Sequence, residues 1–376
     1  MVQQALSPQV SQDGAFVAPE APASIAVVGV GGGGCNAVMR IMRERQVPGV
    51  KYVCVNTDIK SLAQVRGAAV VQIGERLTRG LGAGGDPEVG NQAAETDRLD
   101  LKRAIGQADL IFITAGMGGG TGTGAAPVVA EVARKTGALV IGLITTPFSW
   151  EGSRRLQTAM AGAARLQEHV DNLIVVHNDR LLELMSTDVS MEEALIRADE
   201  AVMNGILSVA ELVNVPGEIN VDMADVRTIM KVPGQALMAI GEAPGPHGAV
   251  EAAKQAITNP LLNLAIDGAQ GALFCVNGGP KMTLGEVNAA GQLIASKVDH
   301  RAMIFFGMVN SDKMQDRVRL TIIATGIPEE KQRSRDASMW QRGPVSVGVS
   351  QPPGRPARTV VTGKSGSYSA NPITRI

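Results

Sequence analysis

The chain has 376 residues, of which 45% are hydrophobic and 3% aromatic, and its formal net charge is −1. A chain of this length and hydrophobicity can bury two cores, which excludes a wholly disordered protein. The scarcity of aromatic side chains argues against binding of single-stranded nucleic acid by base stacking, and the balanced charge predicts no charge-based partner.

The two ends of the chain differ in composition from its middle. Residues 1–23 are rich in Gln, Ala and Pro, which predicts a disordered extension. Residues 328–376 are rich in Pro, Gly, Ser and Arg and are also predicted to be disordered, with eight Lys or Arg and one acid from Lys331 onward. We expect this basic tail to make weak, salt-sensitive contacts with anionic surfaces.

The cysteines and the hydropathy pattern indicate a cellular compartment. Cys35, Cys54 and Cys275 are odd in number and widely spaced, which favours reduced thiols in the cytosol. The sequence shows no signal peptide and no apolar run of about 18 residues. We therefore predict a cytoplasmic protein without a membrane span.

Short apolar runs alternate with helical patterns between residues 24 and 177, which predicts a parallel sheet with helices on both faces. The predicted strands are Ser24–Val30, Val50–Val55, Val70–Ile73, Asp109–Thr114, Leu139–Thr145 and Leu173–His177. The predicted helices are Asn36–Arg45, Asn91–Ile105 and Ala125–Ala133.

A long helix is predicted over Met191–Val213, followed by a loop over Asn214–Asp225. Val226–Ile240 fits either a helix or the entry to a strand. Beyond it, an α+β pattern predicts a smaller second domain with its own sheet. Its predicted helices are Ala249–Ala256 and Leu284–Val298, and its strands are Gly271–Asn277, Met303–Val309 and Val318–Thr325.

Three glycine-rich turns follow predicted strands or lie beside them. The first, Gly29–Asn36, fits G-x-G-x-x-G and is followed by Asp58 at the next strand end, a layout typical of dinucleotide binding. Three turns at one sheet edge suit a triphosphate better, because each can bring backbone N–H groups to a phosphate. The candidate phosphate-binding residues are Gly32, Gly33, Gly34, Cys35, Asn36, Gly82, Ala83, Gly84, Gly118, Gly119, Gly120, Thr121, Gly122 and Thr123. We interpret Cys35 as a small side chain that fills space in the first turn, although its position at a helix N-terminus could lower its pKa.

Two further segments place polar side chains at the same edge. Glu151 could accept hydrogen bonds from a ribose and Arg155 could reach phosphates, or both could belong to a solvated helix start. Asn178 and Asp179 end a strand, where the Asp179 carboxylate could pair with the N1–H and amino group of guanine. The alternative is that Asp179 is a helix N-cap.

Asn220, Asp222 and Asp225 form an acidic cluster that could polarise a water or bind a cation. The alternative is an N-cap followed by acids in the first turn of a helix. The long predicted helix separates this cluster from the glycine turns. If that helix spans the domain, the acids can act only on the nucleotide of a neighbouring copy.

These motifs resemble those of the tubulin/FtsZ family. GGGTGTGAAP (Gly118–Pro127) is similar to the signature of that family, and the likeness runs in order from about Ser24 to Ile327. The resemblance implies a Rossmann-like GTPase domain joined by a long central helix to a smaller α+β domain. The implied segments are an extension (1–23), a GTP-binding domain (24–190), the central helix (191–214), a C-terminal domain (215–327) and a basic tail (328–376).

The resemblance also implies roles. It implies a GTPase that polymerises head to tail and forms the bacterial division ring at mid-cell, with GTP or GDP as the bound nucleotide and Mg²⁺ beside it. Gly32–Asn36 and Gly120–Gly122 would hold phosphates, Glu151 and Arg155 the ribose and phosphate region, and Asp179 the guanine. Asn220, Asp222 and Asp225 would enter the next subunit's site, where the two acids would position or polarise water.

The implied partners are further copies of the chain and, through the tail, membrane tethers and regulators. No specific nucleic acid is expected, and membrane contact would be weak or indirect. The sequence departs from the family pattern at Glu218, at Pro246-His247 and in the basic tail, where relatives often end in an acidic and apolar peptide. A Rossmann oxidoreductase, suggested by the first 60 residues, and a non-hydrolysing filament protein are the alternatives.

Overall fold

The computed structural model of the chain describes residues 9–10, 16–17, 23–44, 46–182, 190–215, 217–245, 247–258, 266–310 and 314–327. The predictions for the tail and for most of residues 1–23 lie outside the described residues. Within the N-terminal segment, β1 (Gln9–Val10) and β2 (Phe16–Val17) form a short antiparallel pair.

The other strands are β3 (Ile25–Val30), β4 (Val50–Asn56), β5 (Ala69–Gln72), β6 (Leu110–Gly116), β7 (Leu139–Thr146), β8 (Asn172–His177), β9 (Gln235–Pro244), β10 (Gly271–Gly278), β11 (Met303–Asn310) and β12 (Arg317–Ile327). The helices of the first half are α1 (Gly31–Glu44), α2 (Ile59–Leu62), α3 (Glu75–Thr78), α4 (Pro87–Thr96), α5 (Arg98–Ile105), α6 (Thr121–Arg134), α7 (Ser153–Gln167) and α8 (Asn178–Leu182). Those of the second half are α9 (Met191–Asn214), α10 (Met223–Met230), α11 (Gly248–Thr258) and α12 (Leu284–Ala295).

Ten strands form one sheet in the order β11-β10-β12-β9-β8-β7-β6-β3-β4-β5. Strands β3 to β8 are all parallel, so their carboxyl ends meet at one edge. In the second half, β12 runs antiparallel to both β9 and β10, while β11 runs parallel to β10. The predicted fold class is confirmed, but the second sheet is not separate, because the pair Ile174 and Ala236 joins β8 to β9.

The sheet is covered on both faces, which explains why its central strands are continuously apolar. Every residue of β3 is buried, and β6 is buried over its first six residues. One core cluster lies under α1 and α9, a second under α5, α6 and α7, and a third between the C-terminal strands and α11 and α12. The first cluster includes Leu273 and Ile323, so α9 packs against both halves of the sheet.

Helix α9 connects the two ends of the parallel strands. It has 24 residues, a length of about 36 Å, and is capped at its start by Ser190, whose side chain accepts a hydrogen bond from the Glu193 N–H. At its far end, Asn214 lies beside Gly49, immediately before β4. The helix therefore ends at the amino edge of the parallel strands.

Several predicted boundaries were wrong. The glycines predicted as loops before Asn36 and Ala125 belong to the first turns of α1 and α6, where the lack of a side chain permits close backbone contact. The helix predicted over Asn91–Ile105 starts at Pro87 and breaks at Asp97, whose carboxylate accepts the Gly74 N–H at 2.6 Å.

The segment left open, Val226–Ile240, contains the end of α10 and the start of β9. Asp225 was predicted to lie in a loop, and this was wrong, because α10 already begins at Met223. The side chain of Asp222 caps that helix and so fixes its start one turn earlier than the apolar pattern indicated.

Candidate functional site

Two helices begin side by side at the carboxyl edge of the parallel strands. A Cβ added to Gly31 would lie 2.7 Å from the Gly122 nitrogen, and one added to Gly122 would lie 2.6 Å from the Gly116 carbonyl oxygen. Only glycine permits this contact between the first turns of α1 and α6 and the end of β6. The free N–H groups and positive dipole ends of both helices therefore lie close together, an arrangement suited to a polyphosphate.

The glycine turn that contains Gly82, Ala83 and Gly84 packs against the start of α6. A Cβ on Gly120 would lie 2.8 Å from that of Ala83 and 2.9 Å from the Asp86 nitrogen. The hydroxyl groups of Thr57 and Thr121 are 2.7 Å apart and join the end of β4 to α6. The structure therefore brings the three predicted glycine turns together.

Some of these glycines face open space instead of protein. A Cβ added to Gly32, Gly84, Gly85 or Gly119 would meet nothing within 4 Å. Gly33 and Asn36 are also exposed, whereas Thr123 is buried, with its hydroxyl accepting the Gly118 N–H at 2.8 Å. At these glycines the turns expose backbone that no side chain covers, which fits a bound phosphate chain.

The segment after β7 lies next to the glycine turn Gly118–Thr123. Glu151 accepts the Phe148 N–H at 2.8 Å and pairs with Arg155 at 3.1 Å. A Cβ on Gly118 would lie 2.8 Å from Cγ of Arg155, so this arginine lies directly beside the turn. The rings of Phe148 and Trp150 stack with centroids 5.6 Å apart, and Trp150 is exposed.

The end of β8 supplies two of the predicted side chains. Asn178 is buried, and within the described residues its Oδ1 has no hydrogen-bond partner, which leaves an acceptor for a ligand. Asp179 lies inside α8 and accepts the Ser149 N–H at 2.8 Å, so it does not act as the N-cap considered as an alternative. Burial lowers the pKa of His177 to about 4, with Arg180 acting in the same direction, and His177 is neutral at pH 7.

The acidic cluster lies at the opposite end of the sheet. Arg227 on α10 donates to the Asp109 carbonyl, just before β6, and Asn172 at the start of β8 donates to the Met230 carbonyl. The glycine turns follow the other end of β6, whose seven residues span about 20 Å. One copy of the chain therefore does not bring the acids to its own glycine turns.

Within the cluster, each side chain has a local role. Asp222 accepts the Asp225 N–H at 2.7 Å as the N-cap of α10, and Asn220 accepts the Gly217 N–H at 2.9 Å. Desolvation, with the Asp222 carboxylate nearby, raises the pKa of Asp225 above its usual value. A carboxylate with a raised pKa is a better proton acceptor.

Comparisons with known proteins agree with this geometry. The GTPase-domain model of the Tubulin/FtsZ family matches residues 24–186, and the FtsZ C-terminal domain model matches residues 234–328. A structure of FtsZ from M. jannaschii, described as an empty dimer, is 40% identical, with a TM-score of 0.79 over 82% of this chain and 90% of that one. A point mutant of the same protein is 41% identical, with a TM-score of 0.78 over 81% and 92%.

This chain belongs to the FtsZ family. CetZ2 from Haloferax volcanii, in a GTPγS-bound protofilament, has a TM-score of 0.70 over 84% of this chain and 99% of that one, but at 23% identity it shows only a shared fold. As an FtsZ family member the chain is a GTPase of the cytoskeletal class and binds GTP and GDP. The oxidoreductase and non-hydrolysing alternatives were therefore wrong.

Cys35 shows why a residue type inside a binding motif can mislead. Its side chain is fully buried, with the sulfur 3.6 Å from the carbonyl oxygens of Gly29 and Val55. A hydrogen bond with Cys54 and burial raise its pKa, so the suggestion of a lowered pKa was wrong. The thiol packs in the core of this FtsZ family protein, and only its backbone is available to a ligand.

Asp199 is not among the predicted site residues. This residue lies on α9 and its carboxylate approaches Arg40 of α1 at 3.6 Å, with 23% of the side chain exposed. Burial raises its pKa to about 6, against the opposing effect of Arg40. The available signal was an acid that follows Ala198 and precedes Ala201 by two positions, both alanines being on the buried side of the FtsZ-type central helix.

No helix in the described ranges is long and apolar enough to cross a membrane. The same ranges contain no group of three or more His, Cys, Asp or Glu residues placed to hold a metal ion. Mg²⁺ in nucleotide-binding proteins often relies on substrate phosphates and water together with only one or two protein carboxylates.

Proposed function

We propose that copies of this GTPase assemble head to tail and that each hydrolytic site is completed between two subunits. The observation that supports this proposal most directly is the distance of about 20 Å, measured along β6, between the glycine turns and α10. When one subunit stacks with its α10 end on the glycine turns of the next, this separation vanishes. Repetition of such a heterologous contact builds a filament. The dimer of M. jannaschii FtsZ agrees with self-association.

In this proposal the nucleotide lies on the surface formed by the glycine turns. The backbone N–H groups of the two first turns and the Arg155 guanidinium bind phosphates, Glu151 binds the ribose, and Asn178 and Asp179 bind the guanine. The phosphate set comprises Gly32, Gly33, Gly34, Cys35, Asn36, Gly82, Ala83, Gly84, Gly118, Gly119, Gly120, Thr121, Gly122 and Thr123. When bound, Mg²⁺ neutralises phosphate charge.

The neighbouring subunit supplies the groups that act on water. Asp225, with its raised pKa, accepts a proton as the water attacks the terminal phosphate, and Asp222 orients the water. Asn220 supports the loop through its bond to Gly217. The products are GDP and phosphate, and the N–H groups at the helix ends stabilise the charge that develops on the phosphate oxygens.

We extend the proposal to the cell through family membership. The filament would form the division ring at mid-cell, and residues 328–376 would bind membrane tethers or regulators. The proposed segments are the GTP-binding domain (24–190), the central helix (191–214) and the C-terminal domain (215–327). Dependence of ring formation in cells on Asp225 would test this extension.

The shared site is tested by mixing two inactive variants. Asp225→Asn keeps an intact nucleotide surface, and Arg155→Ala keeps an intact acidic loop. In a 1:1 copolymer, about one junction in four combines both intact halves, so phosphate release should recover to about a quarter of the wild-type rate. Asp100→Asn, which changes an exposed acid on α5, is the matched control and should leave the rate unchanged. Sedimentation must show both variants in the polymer, and co-assembly without recovery contradicts the proposal.

A further inference from the structure

Strand β11 ends the ten-stranded sheet, and the described residues cover only part of its outer edge. Ile219 exchanges two backbone hydrogen bonds with Met308, at 2.8 and 3.3 Å, so the main chain of Met308 faces outward. Because alternate residues of a strand face the same side, the N–H and C=O groups of Ile304 and Phe306 also face outward. In the described part of the chain, no strand pairs with that stretch.

An apolar groove lies next to this open edge. It has a volume of about 670 Å³ and lies between α12 and β11. Its lining includes Leu284, which is 67% exposed, and Ile304 and Phe306, which are 37% and 38% exposed. An open strand edge beside exposed apolar side chains favours addition of another strand, which would pair the backbone and cover the side chains.

The chain itself continues from the correct place to supply that strand. Thr325 of β12 pairs with Gly271 of β10, which pairs with Met303 at the start of β11. The tail therefore leaves the sheet about 10 Å, or two strand spacings, from β11. Residues 328–344 can span this distance several times over when extended.

One stretch of the tail has the pattern of a half-buried strand. Val345, Val347 and Val349 alternate with Ser346, Gly348 and Ser350, so the three valines would face one side of a strand. Elsewhere the tail is rich in Pro, Arg and Gly except for the β-branched run Thr359–Thr362, whose two valines are adjacent and do not alternate with small polar residues. This stretch could therefore pair its backbone with the edge of β11 and place small apolar side chains in the groove.

We propose that residues 345–349 bind in cis to the open edge of β11 as an additional strand, with the valines in the groove beside α12. The bound segment would lie next to the loop that carries Asn220, because Ile219 occupies the same edge of β11. This inference depends on the fold and not on nucleotide hydrolysis or assembly.

Hydrogen exchange of the full chain in GDP, below any assembly threshold, tests the proposal. The observable is the exchange rate of the backbone amides of Ile304 and Phe306. Val347→Asp places a charge in the groove and should speed their exchange about tenfold. Val360→Asp makes the same change in the same tail, outside the alternating stretch, and should match wild type.

Three results of this experiment would contradict the proposal. Exchange that is equally fast in wild type and Val347→Asp shows that the edge is open and overturns it. Equal acceleration by Val360→Asp shows a nonspecific tail effect and also overturns it. Protection that increases with protein concentration assigns the edge to the tail of a second copy, which overturns binding in cis. Because GTP is absent, none of these results depends on the proposed function.

Discussion

At the scale of single residues, substitution of two glycines should affect ligand binding without affecting folding. A methyl group on Gly32 or Gly119 would meet nothing within 4 Å, so alanine there should not destabilise the fold. The same methyl group would occupy the proposed phosphate surface. We expect Gly32→Ala and Gly119→Ala to weaken GTP binding at least about tenfold, or about 1.4 kcal/mol, with unchanged unfolding midpoints.

Calorimetric titration with GTP and urea unfolding of the GDP-free chain measure the two effects. Gly285→Ala is the matched control, because Gly285 also faces open space but lies on α12, away from the glycine turns. It should leave GTP affinity unchanged. Normal affinity in both Gly32→Ala and Gly119→Ala would contradict the proposed position of the phosphates.

Asp199 should make stability depend on pH. Its pKa is about 6 in the folded chain and about 3.9 when unfolded, so the folded chain holds more protons between these values. Its contribution to stability is therefore present below pH 4 and is lost as pH rises through 6. From pH 5 to pH 7, Asp199→Asn should gain about 1 kcal/mol of unfolding free energy relative to wild type.

Urea unfolding of wild type and Asp199→Asn at several pH values checks this prediction. The quantity to compare is the difference between their unfolding free energies at each pH. His177, with a pKa of about 4, is harder to protonate when folded, so its contribution rises with pH between about 4 and 6.5 and opposes that of Asp199. Subtracting wild type removes the His177 contribution. A difference between Asp199→Asn and wild type that stays constant with pH would show that Asp199 is not perturbed.

At the scale of elements, α10 shows that one side chain can have two roles. Asp222 caps the helix through the Asp225 N–H and is also a proposed catalytic acid. Asp222→Ala should cost about 1 kcal/mol of stability, whereas Asp222→Asn retains the cap at little cost. Both variants should lose GTP hydrolysis. An active Asp222→Asn would leave the cap as the sole role of this residue.

The elements also show how far the sequence predicts the site. Apolar runs and glycine turns predicted β3, β6, α9 and the convergence of the three turns, because strand burial and backbone approach are local properties. Helix starts were missed where glycine occupies a first turn, as at Gly31 and Thr121. Asp199 was missed because its burial depends on Arg40, which is distant in sequence and meets it only in the fold.

At the scale of the whole molecule, α9 lies between the two halves of the proposed shared site, the glycine turns and the acidic loop. It contacts α1 through Asp199 and Arg40 near one end, and it bonds to the C-terminal strands through Ser208 and Thr321 at 2.8 Å. These contacts hold the acidic loop and the glycine turns in fixed positions at opposite ends of one subunit. In the proposed filament, each subunit therefore takes part in two junctions, one with each half.

That geometry predicts how defective subunits inhibit an active filament. In a 1:1 copolymer with wild type, a subunit carrying both Asp225→Asn and Arg155→Ala breaks both of its junctions, so turnover per wild-type subunit should fall to about half. Either single variant breaks only one junction and should leave turnover per wild-type subunit unchanged. Steady-state phosphate release above the assembly threshold measures this, with Asp100→Asn/Arg103→Ala as the surface control. If each subunit held a complete site, the double variant would only dilute the wild type, and turnover per wild-type subunit would not change.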